Sequence, residues 1–193
     1  MLGINLKSRR NEEIVKWFLA AILYSKPIRE SSATKTYRCF ERREVTTAKR
    51  IVEAGWNRLV EILDEGGYTR YDFSTADRLL EVFGNLEKRY GGDLTRLYKE
   101  SKTGAEVEAN LKRLGKGIGD TTVSIFLRDM RHVWRRVEPK PTPLVTLALE
   151  TLKVRDLEGY AKKHEMDVVL LETALLRYSK DFLKKAKSIR VAP

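Results

Sequence analysis

The chain has 193 residues, with 38 Lys or Arg against 27 Asp or Glu and a formal net charge of +11. Its one cysteine, Cys39, excludes a disulfide framework and any four-cysteine zinc or iron–sulfur site. The longest apolar run, residues 17–24, is far short of the ~20 residues a membrane helix needs.

The basic surplus is strongest in residues 1–50, whereas residues 51–100 carry more acid than base. Such asymmetry points to a polyanionic partner. Glutamine is absent and charged residues make up 34 %, a composition of heat-adapted chains. The N-terminal stretch lacks the basic-then-apolar build of a signal peptide, so the expectation is a cytoplasmic protein.

Apolar residues recur at helical spacing almost throughout, and no stretch shows sustained alternation, so the predicted fold is all-α. Asn11 reads as an N-cap, with Ile14, Phe18 and Ile22 on one face and Pro27 ending the run. Residues 31–43 read as a second helix with a basic outer face carrying Lys35, Arg38, Arg42 and Arg43, close to Arg29. Residues 45–55 form a third, closed by Gly55, and residues 56–67 a fourth, stopped by Gly66 and Gly67. Trp17 and Trp56 read as core, and Cys39 as half-buried filler. Ser74 and Asp77 resemble a capping box ahead of the stripe Leu79, Leu80, Phe83 and Leu86, which Gly91-Gly92 ends. Thr103 and Glu106 make a second box, opening a helix with Val107, Leu111 and Leu114 inward. A further helix is predicted from about Thr121 to Val137, broken by EPKPTP. Two more follow, near 143–152 and 167–187. With no fixed-period repeat, residues 1–193 read as a single helical unit.

The stretch LGKGIGDTT, residues 114–122, joins two of these helices. Gly117 and Gly119 can adopt positive φ without steric cost. Ile118 between them can anchor the turn in the core, and Asp120 can cap the next helix. The helix start then offers backbone N–H groups and a dipole suited to a phosphate. A Walker A loop is excluded because no Lys-Ser/Thr follows and the preceding segment is helical. A dinucleotide fingerprint is excluded because Thr122 stands at its last glycine and no strand precedes it.

Residues 111–123, LKRLGKGIGDTTV, resemble the helix-hairpin-helix of the endonuclease III and AlkA-type DNA glycosylase superfamily, the HhH-GPD group. Gly117, Ile118, Gly119 and Thr122 match its motif. Val123 replaces an alanine, Lys116 holds the place of its proline and Gly115 that of an apolar residue. EEIVKWFLAAILYSKP resembles the family's first core helix, with Lys26 and Pro27 in the turn that probes the base stack. GGYTRYDFSTADRLLEVF resembles its Gly-Tyr/Phe segment. The likeness covers roughly residues 11–152, with the hairpin unit at about 103–137 and C-terminal helices at 143–187.

The resemblance implies a two-lobed helical fold with double-stranded DNA crossing its cleft, a role in base-excision repair and a nucleoid-associated location. The family's lyase lysine falls at Thr121, so a monofunctional N-glycosylase without lyase chemistry is implied. The family's catalytic aspartate falls at Pro141, with Thr142 in place of its threonine. Glu138, in the same loop, and Asp129, in the helix after the hairpin, are the candidate substitutes. A non-catalytic DNA- or lesion-binding module is the alternative. DNA-backbone contacts are expected from Lys112, Lys116, Gly117, Ile118, Gly119, Asp120, Thr121, Thr122, Arg128 and Arg131, with Arg135 and Arg136 close by. Trp134 reads as core, with base stacking as the alternative, and Tyr68 and Tyr71 as loop aromatics that face DNA or pin a lobe. No cofactor is expected, and His132 and His164 lack metal-site partners. The resemblance allows a monovalent cation on the hairpin carbonyls.

Overall fold

The computed structural model describes residues 2–183, and among them every regular element is helical. These residues divide after Glu138 into two compact units, each with its own apolar cluster. The predicted end of the last helix, beyond 183, lies outside the described residues.

The first unit opens with a short 3-10 turn, Leu6–Ser8, followed by α1 (Asn11–Tyr24), α2 (Glu30–Arg42), α3 (Ala48–Gly66), α4 (Asp72–Tyr90), α5 (Leu94–Glu100), α6 (Gly104–Lys112) and α7 (Asp120–Met130). Helix α1 is its axle: from Ile14 to Leu23 only Lys16 and Trp17 escape full burial. A helix apolar nearly all round must be covered on every side, and α2, α5 and α7 pack on it. An aromatic chain continues that core. Phe18 meets Phe83 and Phe126 edge-on at 6.0 and 5.0 Å, and Phe126 meets Trp134 at 5.4 Å. Trp134 in turn stacks on Tyr98 at 4.8 Å with the rings 7° from parallel.

Helix α7 stops at Met130 instead of running to Val137. Beyond it the amides of Val133 and Trp134 both donate to Met130 O, and the indole lies flat on Tyr98. Trp134 is therefore core. Helix α5 went unread in the sequence; Asp93 caps it, accepting from the amides of Thr95 and Arg96.

Other boundaries moved for local reasons. Asn11 is the first helical residue of α1, not its cap, and its side chain bridges Gly92 O and Leu94 N instead. Ser74 and Asp77 form no capping box. Helix α4 starts at Asp72, Ser74 Oγ donates to Tyr71 O, and Asp77 accepts from Trp56. Thr103 does cap α6, accepting from Glu106 N, while Glu106 reaches back one residue further, to Lys102 N. The two helices predicted around Gly55 are both present, end to end within α3, and meet at a kink where Gly55 takes a positive φ (φ 70°, ψ 172°) that glycine alone reaches easily.

Gly66 and Gly67 do different things. Gly67, at φ 89°, is the left-handed residue that closes α3. Gly66 lets α3 touch α2: a Cβ there would lie 2.1 Å from Thr36 Oγ1 and 2.4 Å from Thr36 Cα. The same helix pair is tied electrostatically. Arg42 and Arg43 both donate to Glu65, so the basic face predicted on α2 is partly neutralised by α3. Cys39 is fully buried behind them.

The second unit is smaller: α8 (Pro143–Thr151), α9 (Leu157–Lys163) and α10 (Val168–Tyr178), with a π-helical turn at Ser179–Leu183. Pro143 sits at the first turn of α8, where its missing N–H costs nothing. Asp156 and Asp167 cap α9 and α10, and Val145, Ala148, Leu157, Ala161, Leu171 and Leu175 form the core. Helix α9 too is unmarked by the apolar pattern, because only Leu157 and Ala161 face inward.

Candidate nucleic-acid interface

The hairpin lies between α6 and α7. Gly117 has φ +99°, the left-handed side of the map that glycine alone reaches easily. Ile118 is buried, and its amide reaches back to Gly115 O. Gly119 differs from expectation: at φ −98° and ψ −174° it is ordinary extended backbone, and it is the N-cap of α7. Nothing lies within 4 Å of the position its Cβ would occupy. Its lack of a side chain is thus required neither by backbone strain nor by internal packing. It leaves open solvent beside the first amides of α7.

Asp120 does not cap α7; it stands in the first turn and accepts from Lys112 Nζ at 2.5 Å. That contact raises the Lys112 ammonium above its usual range. Lys116 and Thr121 are exposed. Thr122 is buried, its hydroxyl directed at Gly117 O at 3.5 Å. Arg128 is turned onto Asp129, with Nε and Nη2 at 2.9 and 2.8 Å from Oδ2, and its side chain is only 12 % exposed. Arg131 is half-buried. Of the polar side chains predicted to meet DNA, Lys112, Lys116, Asp120 and Thr121 therefore share the exposed hairpin surface, while Thr122 and Arg128 face inward.

Helix α4 holds the hairpin, by residues that sequence reasoning missed. Glu81 Oε2 accepts from Lys116 N at 3.1 Å, Asn85 Nδ2 donates to Leu114 O at 2.8 Å, and Arg89 Nη1 donates to Arg113 O at 3.3 Å. These three stand four residues apart on one ridge. Val82 Cγ2 fills the space beside Gly115, where a Cβ would be 2.8 Å away, and Arg78 lies against Gly117. The signal was present as polar residues at every fourth position of α4, on a different stripe from Leu79, Phe83 and Leu86. The carbonyls of Arg113, Leu114, Gly115 and Gly117 all receive donors from within the unit.

The candidate acids differ in setting. Glu138 is exposed at the end of the first unit. Asp129 lines a cleft of about 240 Å³ with Leu2, Gly3, Ile4, Leu6 and Trp17. Burial raises its carboxyl above the ordinary range and outweighs the opposing pull of Arg128, Arg131 and His132. Trp17 is fixed there by its Nε1, which donates to Phe126 O at 3.1 Å. Arg136 is stacked over Tyr98 at 4.3 Å and donates to Tyr98 O, whereas Arg135 is exposed. Tyr68 is buried and donates to Leu23 O, so it pins the core. Tyr71 is half-buried beneath Arg70.

Among known proteins, no family model, no curated protein and no solved structure matches this chain. Among the described residues no group of three or more His, Cys, Asp or Glu side chains is placed to hold a metal ion, and no helix is long and apolar enough to cross a membrane.

Proposed function

We propose that this chain binds the backbone of double-stranded DNA through the Gly117–Ile118–Gly119 hairpin and acts on it as a monofunctional N-glycosylase of the HhH-GPD type. One observation carries the binding: the N-terminus of α7 opens to solvent at a residue, Gly119, whose missing side chain serves no internal purpose. Backbone N–H groups at such a helix start meet a phosphate well, and glycine permits its close approach. The exposed Lys116 adds positive charge beside it, whereas the charge of Lys112 is paired with Asp120. For the chemistry, Asp129 is the better-placed acid. It is a partly desolvated carboxyl in an apolar cleft, whereas Glu138 is exposed. A carboxylate there would stabilise the cationic sugar as the glycosidic bond breaks, or activate water. Thr121 offers no amine for a Schiff base.

A second reading is favoured by two observations. Asp129 is already paired with Arg128, and Pro141 stands where the resembled family has its aspartate. In that reading the protein holds DNA or a lesion without chemistry. Single-turnover incubation with duplexes carrying uracil, thymine mismatches, 8-oxoguanine or alkylated bases, followed by alkali, separates the two. Base release that Asp129→Asn abolishes and Glu138→Gln spares supports the enzyme. Tight, salt-sensitive binding without product across the panel supports the module. Borohydride is expected to trap no covalent adduct; a trapped adduct would overturn the argument from Thr121.

A further inference from the structure

Two large aromatic side chains of the first unit are left in solvent side by side. Trp56 is 38 % exposed and Phe73 58 %, and their ring centroids lie 5.2 Å apart with the planes tilted by 39°. Trp56 is thus not the core residue that the sequence suggested. Ile51, Leu59 and Ile62 stand on one buried face of α3, and Trp56, next to the positive-φ kink at Gly55, lies off that face at the surface. Its polar atom is already satisfied, since Nε1 donates to Asp77 Oδ1 at 2.9 Å. The indole is therefore held in one orientation, and what it has left to offer is its ring face.

The ridge of α4 that holds the hairpin also holds this pair. Asp77 takes Trp56, Glu81 takes Lys116, Asn85 takes Leu114 and Arg89 takes Arg113, each four residues after the last. Phe73 begins the same series. From Glu81 it is one four-residue step, about 6 Å of helix, to Asp77, which holds Trp56, and two steps, about 12 Å, to Phe73, or roughly two to four steps of a B-form strand at about 3.4 Å each. A strand with a phosphate on the hairpin and running along α4 towards Phe73 would bring a base a few nucleotides away to the two rings.

We infer that Trp56 and Phe73 form a stacking platform for an unpaired nucleobase a few nucleotides from the hairpin-bound phosphate, which makes DNA with an unstacked base the preferred ligand. Paired bases inside an intact duplex hide their π-faces from such a platform, whereas a base at a gap exposes them. This inference rests on DNA binding by the hairpin, and it is independent of catalysis.

The test compares an intact duplex with the same duplex carrying a single-nucleotide gap, by fluorescence anisotropy, in wild type, Trp56→Ala, Phe73→Ser and Gly119→Ala. The wild type should prefer the gapped duplex and show tryptophan quenching on binding it. Trp56→Ala should weaken gapped binding by about 5- to 150-fold, as expected for removal of a stacking ring, and lower the intact duplex much less. Phe73→Ser changes an exposed side chain and should act in the same direction, which keeps the test independent of any folding defect in Trp56→Ala. If Gly119→Ala weakens both duplexes but neither aromatic variant changes their ratio, the platform is refuted and hairpin binding stands. If Gly119→Ala changes neither duplex, the DNA reading falls and the platform with it. Concentration-dependent self-association that Trp56→Ala abolishes, with the gapped-to-intact ratio intact, would overturn the platform in favour of a second copy as occupant.

Discussion

Gly119→Ala separates folding from binding at the hairpin, and its magnitude can be worked from local geometry. The backbone there is extended, so alanine fits without strain, and no atom within 4 Å opposes the new methyl. Restricting the unfolded chain should stabilise the fold by about 0.4–1 kcal/mol. Alanine is a poorer N-cap than glycine, which offsets this by a similar amount. The net should stay within ~1 kcal/mol, a melting shift of no more than about 4 °C for a chain of this size. The methyl would nevertheless stand where, in the proposed complex, a phosphate oxygen would approach the α7 amides. Loss of one hydrogen bond to a charged group is worth about 1.5–3 kcal/mol, or roughly 10- to 150-fold in affinity. Calorimetry and anisotropy on one sample read both quantities. Gly117→Ala is the contrast: at φ +99° with Arg78 Cδ 2.8 Å from the new atom, it should lose stability and binding together. Wild-type affinity in Gly119→Ala would refute the phosphate contact at this turn.

Three other substitutions probe the frame around it. Glu81→Gln removes a carboxylate that occupies the Lys116 amide, so DNA affinity should rise several-fold at low salt and the gain should shrink as salt is added. Gly66→Ala forces a methyl into Thr36, including its Cα, and should cost at least about 1–3 kcal/mol, seen as a fall in the denaturant midpoint. Glu13 is lowered below its usual range. Burial opposes the shift, but Lys16, the Asn5 amide and Arg10 together outweigh it. Its stabilisation is therefore present above the unfolded carboxylate range and lost as pH falls through the lowered folded value. Glu13→Gln should weaken the protein in urea at neutral pH and narrow its gap to wild type in acid.

Much of the helical layout follows from local rules. Helix α1 is legible because its apolar residues crowd one segment between a charged start and Pro27. Thr103 is legible as a cap because its hydroxyl needs only the amide three residues on. The short helices α5 and α9 escape the same reading, since seven residues place too few apolar side chains inward to show a period. The site divides the same way. Ile118 had to point inward, because an isoleucine between glycines has nowhere else to bury. That Gly119 would be extended and Gly117 left-handed is a property of how the turn docks on α4, and spacing treats the two glycines alike.

Sequence alone determined that this chain is helical, basic and built around a glycine hairpin, because periodicity, charge and turn chemistry act over a few residues. Tertiary structure decided which charges are spent. Arg42 and Arg43 are committed to Glu65, and the Glu81 carboxylate to the Lys116 amide, through contacts 22 to 35 residues apart. It also decided that Gly66 exists for Thr36 and that Trp56 lies outside the core. Such partners are chosen by packing between distant segments, where proximity in space carries no mark in the chain order.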